Sequence, residues 1–304
     1  MLKKIRRFVS NSDIRFGYLR KIGLTNWLSD EKYLKKLFKL RVGYELNLDN
    51  PCSFNEKIQW LKIHDRNPKY TMMVDKYEVR NYIGEKIGKE YLIPLLGVWD
   101  NVNDINFDEL PEKFVLKCNH NSGLGMCICK DKQTLNIKMV KKKLKKGLRE
   151  NYYWSGREWP YKNVKKKVIA EKYMVDSSQN SLENGLLDYK FMCFNGKFRC
   201  SFVCSERFSK EGLKVTFFDE NWNVMPFERK YPKSRKSIQK PQNYEKMIEL
   251  AERLAEGIPF VRVDFYEIEG RIYFGELTFH PGSGMEEFTP VEADYELGSW
   301  LKLN

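Results

Sequence analysis

Apolar and polar residues alternate with a period of two through residues 261–284, and this alternation predicts a β-hairpin that turns near Gly270. The apolar face carries Val261, Val263, Phe265, Leu277 and Phe279. The polar face carries Arg262, Asp264, Glu276 and Thr278. Every face matches if position 264 pairs with position 276, which makes residues 269–271 a three-residue loop. Because directly opposed side chains lie roughly 5 Å apart at Cβ, the hairpin brings two carboxylates together.

The rest of the chain is predicted to mix helices with antiparallel strands. Alternation predicts strands over residues 114–118, 126–129 and 168–174, and a hairpin over 189–203 that turns at Asn195-Gly196. Helical periodicity predicts helices over residues 75–83, 136–150 and 243–256. Another helix is predicted to begin after Ser53, which forms a capping box with Glu56. These elements indicate the α+β class.

The first 45 residues read as basic helices with two apolar stripes. One stripe is Leu2, Ile5, Phe8 and Val9, and the other is Tyr33, Leu34, Leu37, Phe38 and Leu40. Residues 1–42 hold twelve basic and three acidic residues, which gives +9 of the total net charge of +13. We expect the stripes to pack on the rest of the protein, with peripheral contact to an anionic membrane surface as the open alternative.

Composition limits the class of protein. A chain of 304 residues with 42% hydrophobic residues can form one large domain or two ordinary ones, and it is not a disordered chain. The seven cysteines include no Cys-x-x-Cys pair, which argues against a structural zinc site and indicates a reducing compartment. Since no apolar run reaches the length of a membrane span, we expect a soluble, cytoplasmic protein.

The two opposed acids of the hairpin point to a cation site. Two carboxylates at this distance repel, so one must take a proton unless a cation lies between them. Carboxylate oxygens suit Mg²⁺, and a magnesium site at Asp264 and Glu276 is therefore the favoured interpretation. A surface hairpin in which Arg262 neutralises one acid is the alternative.

A second candidate for phosphate binding lies earlier in the chain. Lys117 ends a strand just before a loop that contains Gly123 and Gly125. Such a loop can bring backbone N–H groups close to phosphate oxygens, because glycine has no Cβ. An ordinary turn between two strands is the alternative. The loop is not a P-loop, because no Gly-Lys-Ser/Thr sequence follows it.

Taken together, these motifs resemble the ATP-grasp superfamily, and within it the TupA-like branch associated with teichuronopeptide and capsular polysaccharide synthesis. The resemblance covers roughly residues 50–290 and rests on these segments: FNEKIQW (54–60), DK (75–76), FVLKCNH (114–120) with SG (122–123), EKY (171–173), RVD (262–264) and FGELTFHPGSG (274–284). It implies an α+β ATP-grasp fold, in which two subdomains with antiparallel sheets grasp ATP, behind a helical basic N-terminal region. The implied boundaries are 1–70 for that region and 71–304 for the ATP-grasp domain, divided near residue 172.

The resemblance also implies roles for individual residues. Lys76 and Lys117 would hold the nucleotide phosphates, with Ser122, Gly123 and Gly125 in a flexible lid over them. Glu171, Lys172, Tyr173 and Met174 would form the adenine-binding segment, and Asp176 or Glu183 would bind the ribose. Lys190 would be a third phosphate contact and, with Arg262, a catalytic residue. Asp264 and Glu276 would bind magnesium, and Thr278, where many ATP-grasp ligases have asparagine, takes the third metal position.

By this resemblance the protein is expected to be a carboxylate–amine ligase that uses ATP and Mg²⁺. Its substrates would be a uronic acid of a bacterial surface polysaccharide and an amine or amino acid. The basic N-terminus would bind an anionic polymer or the inner face of the membrane. A phosphotransferase acting on a sugar and a basic nucleic-acid-binding protein without enzymatic activity are the alternatives, although no nucleic-acid partner is expected.

Overall fold

The computed structural model describes residues 12–176, 185–207 and 209–303. The α-helices are α1 (Ser12–Lys21), α2 (Asp30–Val42), α3 (Phe54–His64), α4 (Lys69–Val74), α5 (Val79–Lys86), α6 (Ile137–Arg149), α7 (Tyr153–Gly156), α8 (Tyr244–Ala255) and α9 (Glu292–Trp300). The strands are β1 (Leu95–Trp99), β2 (Phe114–Cys118), β3 (Met126–Cys129), β4 (Val168–Lys172), β5 (Asp188–Phe194), β6 (Lys197–Ser205), β7 (Lys214–Phe218), β8 (Glu228–Arg229), β9 (Phe260–Ile268), β10 (Arg271–Thr278) and β11 (Phe288–Thr289).

Two antiparallel sheets organise the described part of the chain. The smaller has the order β1-β4-β2-β3, and α6 packs on one of its faces. The larger has the order β10-β9-β5-β6-β7. A bridge between Leu92 and Phe274 joins the segment before β1 to the edge strand β10, so the two sheets meet there. This arrangement confirms the α+β prediction.

The larger sheet is covered by helices on both faces. On one face, Phe191, Val263 and Phe265 belong to a core that also contains the buried side of α8. On the other face, Phe194 and Phe260 pack with residues of α3 and α9. Only part of this second face is apolar, because the polar residues of β5, β9 and β10 also lie on it. The helices therefore leave a polar patch at the β10 side of the sheet.

The hairpin of β9 and β10 has the predicted register but a different turn. Asp264 pairs with Glu276 as expected. The turn, however, has two residues, Glu269 and Gly270, with φ of 51° and 73°, rather than the three-residue loop that the simple register required. The register is restored by a β-bulge at Gly275, which inserts one residue between Phe274 and Glu276.

The N-terminal helices pack on the rest of the protein where they are described. Tyr33, Leu34, Leu37 and Phe38 of α2 are buried, as predicted for the second stripe, and they share a core with Met285. Leu40 is 42% exposed and lies outside the stripe, contrary to the prediction. The first stripe, residues 2–9, lies outside the described residues. No helix in the described ranges is long and apolar enough to cross a membrane.

One predicted helix begins in the wrong place. Asp75 does not begin the helix itself but caps a turn that precedes it: its carboxylate accepts hydrogen bonds from the backbone N–H groups of Tyr77 and Glu78, and its carbonyl accepts one from Val79. These bonds make a turn, and α5 begins only at Val79. The strand predicted over residues 168–174 likewise ends at Lys172. The other strands and helices lie within a few residues of their predicted positions.

Candidate functional site

The acidic pair of the hairpin lies at the centre of a buried polar cluster. Arg262 donates from Nε and Nη2 to the two carboxylate oxygens of Asp264, both at 2.6 Å, and from Nη2 to Glu276 at 3.0 Å. Thr278 donates to the same Glu276 oxygen at 3.2 Å. The Asp264 and Glu276 carboxylates raise the pKa of Arg262 above its usual range, against the effect of burial. Arg262 is therefore the cation that separates the two acids in this structure.

Lys190 approaches the same cluster from the neighbouring strand. It pairs with Asp264 across β5 and β9, and its ammonium group contacts the Asp264 carboxylate. Asp188, two residues earlier on the same face of β5, lies 2.7 Å from the Lys190 ammonium. Sequence reasoning did not select Asp188, although the alternation of β5 placed it beside Lys190.

Glu276 is the more accessible acid, with a side chain that is 34% exposed. Burial raises the pKa of Glu276, but the charges of Lys76, Arg262 and Lys190 outweigh it and lower the pKa to about 2. The Lys76 ammonium lies 3.6 Å from Glu276 and also donates to the carbonyl of Asn121 at 3.0 Å. Lys76 thus connects the acidic pair to the glycine-containing loop of the smaller sheet.

Lys117 of β2 and Glu171 of β4 are diagonal neighbours on one face of the smaller sheet. Their side chains form an ion pair of 2.6 Å, and Arg80 lies 3.8 Å from the same carboxylate. Arg80 was not selected from the sequence, although it lies one helical turn beyond Lys76. The cleft between the two sheets is lined by Lys76, Arg80, Lys117, Glu171 and Glu276 together with apolar side chains. Four residues predicted from the sequence therefore share one cleft.

The loop predicted to form the lid divides into an open part and a packed part. Ser122 and Gly123 are exposed, and a Cβ at Gly123 would meet no atom within 4 Å. A Cβ at Gly125 would instead lie 2.6 Å from the Cys118 sulfur and 3.0 Å from the Cα of Gly147 in α6. Gly125 therefore anchors the loop against α6, while its predicted contact with nucleotide remains a prediction.

The predicted adenine-binding segment follows β4. Lys172 is exposed and Tyr173 and Met174 are half-buried, while Asp176 is buried. The backbone N–H of Lys172 donates to the carbonyl of Pro94, which ties the segment to the start of β1. Glu183, the other candidate for the ribose, lies outside the described residues.

A family model for TupA-like ATP-grasp proteins matches residues 56–302. The chain belongs to the TupA-like ATP-grasp family. This confirms the predicted fold and the prediction of an ATP-grasp enzyme. The match begins inside the region predicted as N-terminal, residues 1–70, and the boundary at residue 70 remains a prediction. No curated protein matches this TupA-like chain.

Solved structures similar to this TupA-like protein are remote. The D-alanine–D-alanine ligase of Helicobacter pylori is 17% identical, with a TM-score of 0.43, over 83% of this chain and 70% of that one. D-cycloserine synthetase DcsG is 14% identical, with a TM-score of 0.41, over 76% and 71%. The D-alanine–D-alanine ligase of Bacillus anthracis complexed with ATP is 16% identical, with a TM-score of 0.39, over 68% and 55%. The family assignment rests on the family model and not on these likenesses.

Proposed function

We propose that this ATP-grasp enzyme is an ATP-dependent carboxylate–amine ligase that acts through an acyl phosphate. The observation that carries the proposal is the opposed pair of Asp264 and Glu276, held among Lys76, Lys190 and Arg262 at one side of the cleft between the sheets. This arrangement concentrates cations and carboxylates where a phosphoryl group would be transferred. The remainder of the cleft, with Lys117, would hold the rest of the nucleotide.

The chemistry explains why a ligase needs such a site. A carboxylate is a poor electrophile, because its charge repels nucleophiles and oxide is a very poor leaving group. Transfer of the γ-phosphoryl group breaks its bond to ADP and joins it to a carboxylate oxygen. An amine then attacks the carbonyl carbon, loses a proton and displaces phosphate, which gives an amide, ADP and phosphate.

The side chains of this site match these steps. Lys76, Lys117 and Lys190 would bind phosphate oxygens, and each would have to leave its present carboxylate partner to do so. Arg262 is buried beside both acids and would stabilise the charge on the acyl phosphate and on the tetrahedral oxyanion. One such contact typically contributes about 10²–10³ in rate.

The residues at this site also suit magnesium. The donors are oxygen atoms, as Mg²⁺ prefers, and Glu276 is exposed enough to accept an ion. Both oxygens of Asp264 are engaged by Arg262 and Lys190, so an ion at Asp264 would share it with these cations. Bound magnesium would offset the charge of the phosphates during transfer. Asp264 and Glu276 would hold it, with the Thr278 hydroxyl as the third predicted position.

For the substrates, we propose a uronic acid of a bacterial surface polysaccharide and an amino acid or other amine. This finer proposal is supported by the TupA-like family and by the positive charge of the chain, which would attract an anionic glycan.

A screen for ADP release tests the proposal. The purified protein would be mixed with Mg-ATP, a uronate (D-glucuronate or D-galacturonate) and individual amino acids, and the products would be measured by mass spectrometry. We expect ADP release that needs both an acid and an amine, and a product mass equal to their sum less one water. ATP turnover that leaves phosphate on the sugar would indicate a phosphotransferase, and turnover that never needs an amine would contradict the ligase.

A further inference from the structure

A strained turn follows the strand that carries Glu276. Gly282, Ser283 and Gly284 have φ values of 59°, 58° and 57°, so three successive residues are left-handed. The conformation is unfavourable for Ser283, because its Cβ approaches the following carbonyl oxygen, at a cost of roughly 1–2 kcal/mol. Such a conformation persists only where its surroundings fix it.

The turn is held from α3 by Lys62, which is fully buried. The Lys62 ammonium donates to the Ser283 carbonyl at 2.7 Å, to the Ser283 hydroxyl at 2.9 Å and to Gln59 Oε1 at 3.1 Å. Gln59, also in α3, donates to the carbonyls of Ser283 and Gly284 at 2.9 and 2.6 Å. Two of the three Lys62 hydrogen bonds thus go directly to this turn, and the third goes to Gln59, whose own amide N–H groups donate to the turn.

The other side of Ser283 is also enclosed. Gly156 lies against Ser283, because a Cβ added at Gly156 would overlap the Ser283 hydroxyl. Glu158 is buried nearby, and its carboxylate lies 3.8 Å from Nδ1 of His280. Burial raises the pKa of Glu158, whereas Lys62 and the Ser283 hydroxyl lower it. Ser283 therefore has polar or close backbone neighbours on two sides.

A buried lysine is costly unless it performs a task that an apolar residue cannot. Burial lowers the pKa of Lys62 to about 7, although Glu158 raises it. An apolar side chain would fill this position in α3 without that desolvation cost. What an apolar side chain would lose is the three hydrogen bonds to the turn and to Gln59. The contacts of Lys62 thus suit the placement of Ser283 better than the stability of α3.

The turn is close enough to the acidic pair to matter for a second substrate. Tyr152 and Tyr161 contact each other edge to face at 4.8 Å between centroids, and the charges of Glu158 and Glu276 act on both of them. Both tyrosines have a raised pKa, Tyr152 mainly because of Glu158 and Tyr161 mainly because of burial, and Glu276 contributes to each. Gly282 and Ser283 are half-buried rather than covered. A substrate that meets the phosphoryl group near Glu276 would reach this turn.

We propose that Lys62, assisted by Gln59, is a positioning residue that fixes the turn of residues 282–284 as one wall of the acceptor site. The proposal rests on the ligase function proposed above. It assigns to the N-terminal helical region a part in the reaction, because α3 holds a turn more than two hundred positions away in sequence. The acceptor of the phosphoryl group is the carboxylate substrate, which would contact the half-buried side of Gly282 and Ser283.

The test compares Lys62→Met with Lys57→Met and Lys62→Arg. Lys57 is a matched control, because it also lies in α3 and donates to two backbone carbonyls, of Gly298 and Leu301, at the end of α9. Hydrogen exchange would be measured on the peptide that spans residues 280–288, without any substrate. KM for ATP and KM for D-glucuronate would be measured with a mixture of amino acids as the amine.

We expect Lys62→Met to speed hydrogen exchange of this peptide about tenfold or more, and Lys57→Met to leave it unchanged. In Lys62→Met, KM for D-glucuronate should rise about tenfold, while KM for ATP should change less than twofold. In Lys62→Arg, KM for D-glucuronate should lie between the values of Lys62→Met and the parent. Unchanged exchange in Lys62→Met, or an equal rise of both KM values, would overturn the proposal. If no uronate supports turnover, the proposed function fails, and hydrogen exchange alone then decides whether Lys62 holds the turn.

Discussion

Replacement of Glu276 by glutamine gives a test of the electrostatics of the site that needs no substrate. Glu276 has a pKa of about 2 in the folded protein, against its ordinary value of 4.5. Because the folded pKa is the lower one, ionisation of Glu276 stabilises the fold above about pH 4.5, and this stabilisation disappears as the pH falls toward about 2. Glu276→Gln removes the ionisation and with it this pH dependence.

The size of the effect follows from the two pKa values. Without screening, they correspond to about 3 kcal/mol at neutral pH. Since the side chain is 34% exposed, solvent reduces this to about 1–2 kcal/mol. Glu276→Gln should therefore be less stable than the parent by about that amount near pH 7, and the difference should fall to less than half by about pH 3.

Urea unfolding, followed by tryptophan fluorescence at several pH values, measures this difference. Glu112→Gln is the control for charge, because Glu112 is an exposed acid in the loop before β2. We expect the control to match the parent at each pH. A gap between Glu276→Gln and the parent that stays constant with pH would refute the reasoning, because it would show that the three cations do not hold Glu276 ionised.

Three further results are expected. Arg262→Met should lower the free energy of unfolding in urea by about 3–5 kcal/mol, because it leaves Asp264 buried with one cation fewer. Arg262→Lys should recover only part of this loss, because an ammonium group cannot form the paired hydrogen bonds. An unchanged unfolding midpoint in Arg262→Met would contradict this account. In thermal unfolding, Gly125→Ala should lower stability by about 1–3 kcal/mol more than Gly123→Ala, because only a Cβ at position 125 would contact Cys118 and α6. Equal losses in the two variants would assign the effect to backbone conformation alone. Ile22, Leu24 and Trp27 are 69%, 57% and 82% exposed. If residues 1–45 contact a membrane, changing all three to serine should abolish sedimentation of the protein with vesicles of anionic phosphatidylglycerol. Equal sedimentation of the variant and the parent would contradict a role for these side chains.

The hairpin shows what alternation can and cannot reveal. Asp264 and Glu276 could be paired from the sequence because each face of the two strands had a matching partner. The bulge at Gly275 was not predicted, although the apolar positions of the strand change there from even numbers (Ile272, Phe274) to odd numbers (Leu277, Phe279). The three-residue loop required by the simple register was a further indication of it. The structure has instead a two-residue turn and one extra residue at position 275.

Other parts of the site depend on contacts that a sequence pattern does not contain. Asp75 had the residue type of a helix cap but uses its carboxylate in a turn, and both uses follow from the same hydrogen-bonding capacity. Lys62 follows Leu61 in an otherwise regular amphipathic helix, and nothing near it in the sequence indicates Ser283 as its partner. Asp188 could have been found, because it lies two residues from Lys190 on one face of a strand.

The bulge at Gly275 makes the hairpin tolerant of the loss of one residue. Up to Phe274, β10 directs its even-numbered side chains to the core, and beyond the bulge the odd-numbered Leu277 is the buried one. Deletion of this single glycine would place Glu276 directly after Phe274, so alternation alone would still direct Glu276 to the polar face opposite Asp264. A homologous protein that lacks a residue here would therefore keep the acids of the motif and also their juxtaposition in space, and it would lose only the local bend of the edge strand.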